Sequence, residues 1–285
     1  MPASDEHKME KALASSADEI VFDLEDAVAV EAKDRARALL VDVLRRQPPQ
    51  TWRRIAVRVN PVRSPWCHQD VAALAALPDL PGSVVLPKVE SAGDLAFVDR
   101  LLDGVEAATG RVRRLGVQAL VETAAGLAAV GEIARAGERL EALLLGYADL
   151  AASLGVSAPP ERRLELWLPA QQALLVAARA AGVQAVDGPH LGVHVDAGFE
   201  AGTQRARDLG FDGKWAIPPR QLDALNEAFT PTADQVEHAE RVLAALEQAR
   251  EHSGAGAALL DGQMLDEAVA VAARRVLAQA SGPAA

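Results

Sequence analysis

Seven short apolar runs punctuate this chain, and a charged side chain stands at or beside one end of each. The runs are Ile20 to Leu24, Ile55 to Val59, Val84 to Pro87, Val117 to Val121, Ala142 to Gly146, Gln184 to Val186 and Lys214 to Ile217. The charges are Glu25 and Asp26, Arg58, Lys88, Glu122, Asp149, Asp187 and Lys214. Segments with helical periodicity lie between the runs. Lys33 to Leu44 puts Ala36, Leu39, Leu40 and Val43 on one face. Ala124 to Ala136 follows Thr123, a residue suited to an N-cap, and carries Leu127, Val130 and Ile133 in helical spacing. Gln171 to Ala181 stops at Gly182, and Thr232 to His252 reads as a helix with a charged outer face. Strand and helix alternating at about 30 residues per unit is a βα rhythm. Charges gathered at one end of successive parallel strands predict an α/β fold, a TIM (β/α)8 barrel with its active site at that end.

Two stretches depart from the rhythm. A closed barrel wants eight strands and seven are visible; Lys8 to Ala14 reads as the helix of a first unit, yet only "MPASDEH" precedes it, so the first strand is expected to be missing or truncated. After residue 252 the pattern changes to "SGAGAALLDGQMLDEAV". This divides the chain into a barrel over 1–252 and a C-terminal arm over 253–285, with a short strand, a turn at Gly262 and then a helix. Periodicity alone leaves open whether the arm packs on its own barrel or on a neighbouring subunit.

The length of 285 residues suits one barrel of roughly 250 residues plus an appendage. Half the residues are apolar, enough for a sheet wrapped in helices. Lys and Arg total 29 against 40 Asp and Glu, a net charge of −11 that argues against a nucleic-acid partner but leaves an anionic small molecule open. The single cysteine, Cys67, precludes an internal disulfide. No run of about 20 apolar residues could span a bilayer, and Met1 to Lys11 is polar, so a cytoplasmic protein without a membrane partner is expected.

Glu122 and Asp149 carry the clearest chemistry. Mg²⁺ takes oxygen ligands, commonly one or two carboxylates with substrate oxygens and water, and two acids at adjacent strand ends supply such a pair. The same acids could equally cap the helices that follow them. Arg58 lies between Val57 and Val59, so alternation points it to the opposite face, the barrel interior. There it needs a carboxylate, either a substrate's or that of Glu25 or Asp26. Lys88 could bind an anion or pair with Glu90. Asp23 and Glu25 alternate to one side of their strand, with Asp26 at the turn, and could orient Arg58 or a metal-bound water.

In order along the chain, "FDLEDAV", "RVNP", "VLPKVES", "LVETAAGL", "LLLGYADLAASLG", "VDGPHL", "GFDGKWAI" followed by "NEAFTPT", and "LDGQMLDEA" resemble the citrate lyase β-subunit-like branch of the HpcH/HpaI aldolase family, which includes malyl-CoA and citramalyl-CoA lyases. The resemblance implies a pyruvate/phosphoenolpyruvate-type TIM barrel, usually a homotrimer or a dimer of trimers, that uses Mg²⁺. It implies that Glu122 and Asp149 hold the metal and that Arg58 holds the carboxylate of a 2-ketoacid. Asp266, on an arm closing over the adjacent subunit's site, would then be the acid or base at the acyl-CoA α-carbon. Lys88 and Asp187 join Arg58 and Glu122 as the expected substrate-binding set, with Glu25 and Asp26 behind them. Pro218-Pro219 stands where relatives usually carry His-Pro. The activity so implied is cleavage of a short 3-hydroxyacyl-CoA such as malyl-, citramalyl- or citryl-CoA. Thioester hydrolysis at the same site and acyl-CoA binding without turnover are the alternatives.

Overall fold

A computed structural model describes residues 1–48, 51, 54–78, 81–157 and 163–281. Seven strands, β1 (Ile20–Asp23), β2 (Ile55–Arg58), β3 (Ser83–Leu86), β4 (Gly116–Val121), β5 (Leu140–Leu145), β6 (Gln184–Asp187) and β7 (Gly213–Lys214), form one parallel sheet whose spatial order is their chain order. This curled sheet is the wall of a βα-barrel-like fold. All seven apolar runs are strands, shifted by one to three residues at their ends. Beside β1 the backbone of Met1–Ala3 runs parallel. Pro2 bridges Asp23, the Ala3 amide donates to the Asp23 carbonyl (2.9 Å) and the Asp23 amide to the Met1 carbonyl (2.8 Å).

Alternation along each strand sorts the sheet's inner face into layers. Ala56, Val85, Leu120, Ala142 and Leu144 form a buried apolar cluster, joined by Val21, Val186 and Trp215. Two residues onward, on the same face, stand Asp23, Arg58 and Glu122. Two residues back stand Glu19, Ser83 and Gln118, where Gln118 Nε2 donates to Glu19 (2.8 Å) and to Ser83 Oγ (2.9 Å). The interior is thus an apolar plug with a polar layer at each end, and the chemistry lies at the C-terminal end.

The helices cover the outer face. Lys33–Arg45 buries Ala36, Leu40, Val43 and Leu44. The expected helix Ala124 to Ala136 is instead two short helices, Ala124–Ala128 and Val130–Ile133, broken at Ala129 (φ −96°, ψ 6°). Gly126 and Gly131 weaken this segment's helical propensity. The helix expected from Gln171 begins at Arg163 and accommodates Pro169.

The chain divides into two compact units, Met1–Leu225 and Asn226–Ala285. In the second, helix Ala233–Ser253 opens with a Thr232/Gln235 capping box, and helix Glu267–Ala280 closes the chain. Between them β8 (Ala258–Leu260) and β9 (Gln263–Leu265) pair as an antiparallel hairpin, one strand more than the sequence indicated. The hairpin turns through Asp261 (φ 52°) and Gly262 (φ 79°). Ala239, Val242, Leu246, Leu265, Ala270 and Ala273 form this unit's core.

Candidate active site

Parallel register sets Asp23 of β1 directly against Arg58 of β2. The Arg58 Nε donates to Asp23 Oδ1 (2.8 Å) and Nη2 to Oδ2 (2.6 Å), a two-pronged pair. Nη1 faces Glu25 Oε2 at 2.9 Å. Burial opposes the Asp23 charge, but Arg58 and the Glu25 amide hold its carboxyl below the usual range. Burial likewise works against the Arg58 charge, and Asp23, Glu25 and Glu122 together push its pKa up. The guanidinium has five N–H groups, so after Asp23 is served donors remain for another carboxylate.

Glu25 links this pair to Lys88. Its Oε1 accepts from Lys88 Nζ, which also lies 3.5 Å from Asp26 and 3.8 Å from Asp149. Lys88 is a non-glycine residue in the left-handed region (φ 52°), and its amide donates to Glu122 Oε1 (3.1 Å). Strained backbone of this kind concentrates at functional sites. One residue therefore binds Glu122 with its main chain and Glu25 with its side chain. The ion pair with Glu90 considered from sequence is absent among the described residues.

Glu122 is 2% exposed, and its pKa is pushed up to about 8, by burial first and then by the neighbouring Glu25 and Asp149 charges. It does not cap the helix behind it; Thr123 does, accepting from the Gly126 amide (3.0 Å). Gly146, at the end of β5, makes room for it, since a Cβ there would lie 2.5 Å from Glu122 Oε2. Three residues on, Asp149 sits in the first turn of helix Tyr147–Leu154, its side chain 37% exposed. Among the described residues no three His, Cys, Asp or Glu cluster as a self-sufficient metal cage. A cation bound by Glu122 and Asp149 would draw its other oxygens from substrate and water.

Asp187 lies in a separate buried group at the ends of β6 and β7. Its Oδ1 accepts from the Tyr147 hydroxyl and from Gln171 Nε2 (3.2 Å), and its Oδ2 accepts from Lys214 Nζ. Lys214 also donates to the Gly188 carbonyl (2.6 Å). Asp266, in the second unit, is the N-cap of helix Glu267–Ala280, where its Oδ1 accepts from the Ala268 and Val269 amides (3.0 and 3.2 Å).

The first unit thus brings together Glu25, Asp26, Arg58, Lys88, Glu122 and Asp149, while Asp187 belongs to a second network. Several supporting residues escaped the sequence reading. Buried Lys33 donates to the Leu24 and Glu25 carbonyls (both 2.7 Å), anchoring the turn that presents Glu25. Asp70 accepts from the Asn60 amide (3.1 Å) and side chain (2.6 Å) and from Arg37 (3.0 Å), fixing the loop after Arg58. Lys33 lies in a helical pattern that marks it as an exposed charge, and no local signal distinguishes it. Asp70 carried a weak signal, an acid on the apolar face of its helix.

Residues 1–219 match the family model described as HpcH/HpaI aldolase/citrate lyase. An L-malyl-CoA/beta-methylmalyl-CoA lyase of Cereibacter sphaeroides is 37% identical over 98% of this chain and 92% of its own. A (3S)-malyl-CoA thioesterase of the same species is 40% identical over 100% of this chain and 94% of its own. The crystal structure of the protein CitE from Mycobacterium tuberculosis in complex with magnesium, acetoacetate and coenzyme A has a TM-score of 0.76 and 32% identity, covering 99% of this chain and 96% of that one.

Proposed function

The chain belongs to the HpcH/HpaI aldolase/citrate lyase family, and we propose that it is a Mg²⁺-dependent carbon–carbon lyase that splits a short 3-hydroxyacyl-CoA into an acyl-CoA and a 2-ketoacid. The observation that carries the reading is the buried Glu122 carboxylate beside Asp149, in one charged ring with Arg58, Lys88 and Glu25. Malyl-, citramalyl- and citryl-CoA are the candidate substrates, and each yields a ketoacid whose carboxylate Arg58 would hold.

The residues fit the metal. Burial and two neighbouring acids disfavour the charged form of Glu122, and a divalent cation would offset that cost. Among the described residues only its Oε1 takes a hydrogen bond, which leaves Oε2 for a ligand. When bound, Mg²⁺ supplies Lewis-acid polarisation of the substrate hydroxyl and the ketone it becomes. Arg58 fixes the carboxylate through its remaining N–H donors, held at the right angle by Asp23. Lys88 presents an ammonium beside the same space, oriented by Glu25. A base takes the hydroxyl proton, the C–O bond becomes the ketoacid C=O as the C2–C3 bond breaks, and that bond's electron pair moves to the acyl-CoA α-carbon, which an acid then protonates. Asp266 serves as acid or base at that carbon, supplied by the arm of a neighbouring subunit. Asp26 and Glu25 set the charge balance around Lys88.

This reading includes a barrel of the pyruvate/phosphoenolpyruvate type with Met1–Ala3 lying where its remaining strand belongs, and a homotrimer or dimer of trimers, which sedimentation equilibrium would weigh. No helix among the described residues is long and apolar enough to cross a membrane. A cytoplasmic setting agrees with one free, buried cysteine, whose thiol burial pushes up to about 12.

The test is a panel of malyl-, citramalyl- and citryl-CoA assayed with Mg²⁺ and with EDTA, following ketoacid and free thiol separately. Metal-dependent ketoacid without free thiol is expected, and it should vanish in Glu122→Ala/Asp149→Ala. Full activity of that double variant would sink the assignment. The relation to a malyl-CoA thioesterase favours thioester hydrolysis as the second reading, which free thiol with the hydroxyacid left intact would select.

A further inference from the structure

The buried group around Asp187 has no place in the chemistry above. Asp187 is 1% exposed, its two oxygens are taken up by Tyr147, Gln171 and Lys214, and a buried ion pair is costly unless it secures a geometry. All of these groups converge on one side chain. The Tyr147 hydroxyl donates to Asp187 and accepts from Gln171 Nε2 (2.8 Å). Lys214 Nζ lies 5.7 Å from the Tyr147 ring centroid, and the Trp167 ring packs 5.2 Å away. The ring also lies so close to the backbone after β6 that a Cβ on Gly188 would come within 2.7 Å of it and 2.3 Å of the Leu145 carbonyl.

Tyr147 occupies a telling place in the chain. The residue before it, Gly146, is the surface on which Glu122 rests; the residue two beyond it is Asp149. Tyr147 is the first residue of the helix that carries Asp149, so whatever holds Tyr147 also holds the start of that helix. We propose that Tyr147 is a positioning residue whose hydroxyl, tied into the Asp187–Lys214 pair, sets the spacing and direction of Asp149 relative to Glu122. Asp187 then acts through Tyr147 and not by touching substrate. The inference rests on the assignment of Glu122 and Asp149 as the metal pair and extends it to a strut spanning the ends of β5, β6 and β7.

The experiment is direct binding of Mn²⁺ to the full chain, read by the loss of the free-ion EPR signal, for the parent protein and Tyr147→Phe. The phenylalanine keeps the ring against Gly188 and Trp167 and removes only the hydroxyl. Its Mn²⁺ Kd is expected to rise about tenfold, the scale on which outer partners of metal ligands act, with the far-UV circular dichroism unchanged. Should that variant fail to fold, Gln171→Leu, which deletes one donor to the same hydroxyl, is expected to raise the Kd about threefold, a smaller loss on the same scale. A folded variant that binds Mn²⁺ as tightly as the parent overturns the strut. A parent that binds no Mn²⁺ overturns the metal assignment and the strut with it, so the two failures are distinguishable.

Discussion

At the scale of single residues, Arg58 shows how position and chemistry are coupled. Its fork is oriented by Asp23, and under the proposed function a substrate carboxylate would meet a planar guanidinium that can serve both partners at once. Arg58→Lys keeps the charge but loses the fork. It is expected to lower kcat/KM by roughly 10- to 100-fold, about 1.5–3 kcal/mol for charged hydrogen bonds, chiefly through KM for the ketoacid in the condensation direction. Steady-state kinetics would check this. Asp23, Glu25, Arg58 and Lys88 were visible in the sequence as charges at strand ends, but their pairings were not. The sequence leaves Lys88 open to an anion or to its near neighbour Glu90, whereas the fold sends it to Glu25, 63 residues away. Tyr147 and Gln171 gave no signal at all, since a tyrosine after a strand and a glutamine in a helix are ordinary.

At the scale of elements, alternation and helical period located all seven strands of the parallel sheet and the main helices. They missed the break at Ala129 in the segment after Glu122, a segment whose start is pressed against the loop that carries Lys88. A Cβ on Gly126 would lie 2.2 Å from the Val89 carbonyl oxygen, a backbone atom with nowhere to go. Gly126→Ala is therefore expected to destabilise the fold by about 1–3 kcal/mol, the usual cost of overpacking, despite alanine's better helical propensity. Urea unfolding would show a lower midpoint, and a midpoint equal to or above the parent's would refute the close approach. The hairpin β8–β9 was half seen. Gly262 announced the turn, but the second strand, Gln263–Leu265, is too short to stand out.

At the scale of the whole molecule, the inner face is organised by charge, with Asp23, Arg58 and Glu122 at one end and Glu19, Gln118 and Ser83 at the other. Burial, and to a lesser degree Glu141, pushes Glu19 up to about 7, while Gln118 and Ser83 partly offset it. An acid whose folded pKa is raised contributes most below its unfolded value near 4.3, and that contribution is lost as pH rises through about 7. The parent Tm should thus fall between pH 5 and pH 8 more steeply than that of Glu19→Gln, and parallel curves by calorimetry would contradict the assignment. The sequence by itself determined the alternation of strands and helices, the end of the sheet that carries the charges, and the identity of Glu122, Asp149, Arg58 and Lys88 as candidates. These follow from short-range periodicity and from the types of residue that apolar strands end in. Only the tertiary structure decided which charges meet. Parallel register sets Asp23 level with Arg58, a left-handed Lys88 turns its amide to Glu122, and Tyr147, just past β5, reaches Asp187 at the end of the neighbouring β6. Contacts between residues tens of positions apart depend on register, backbone conformation and packing, and no local pattern records them.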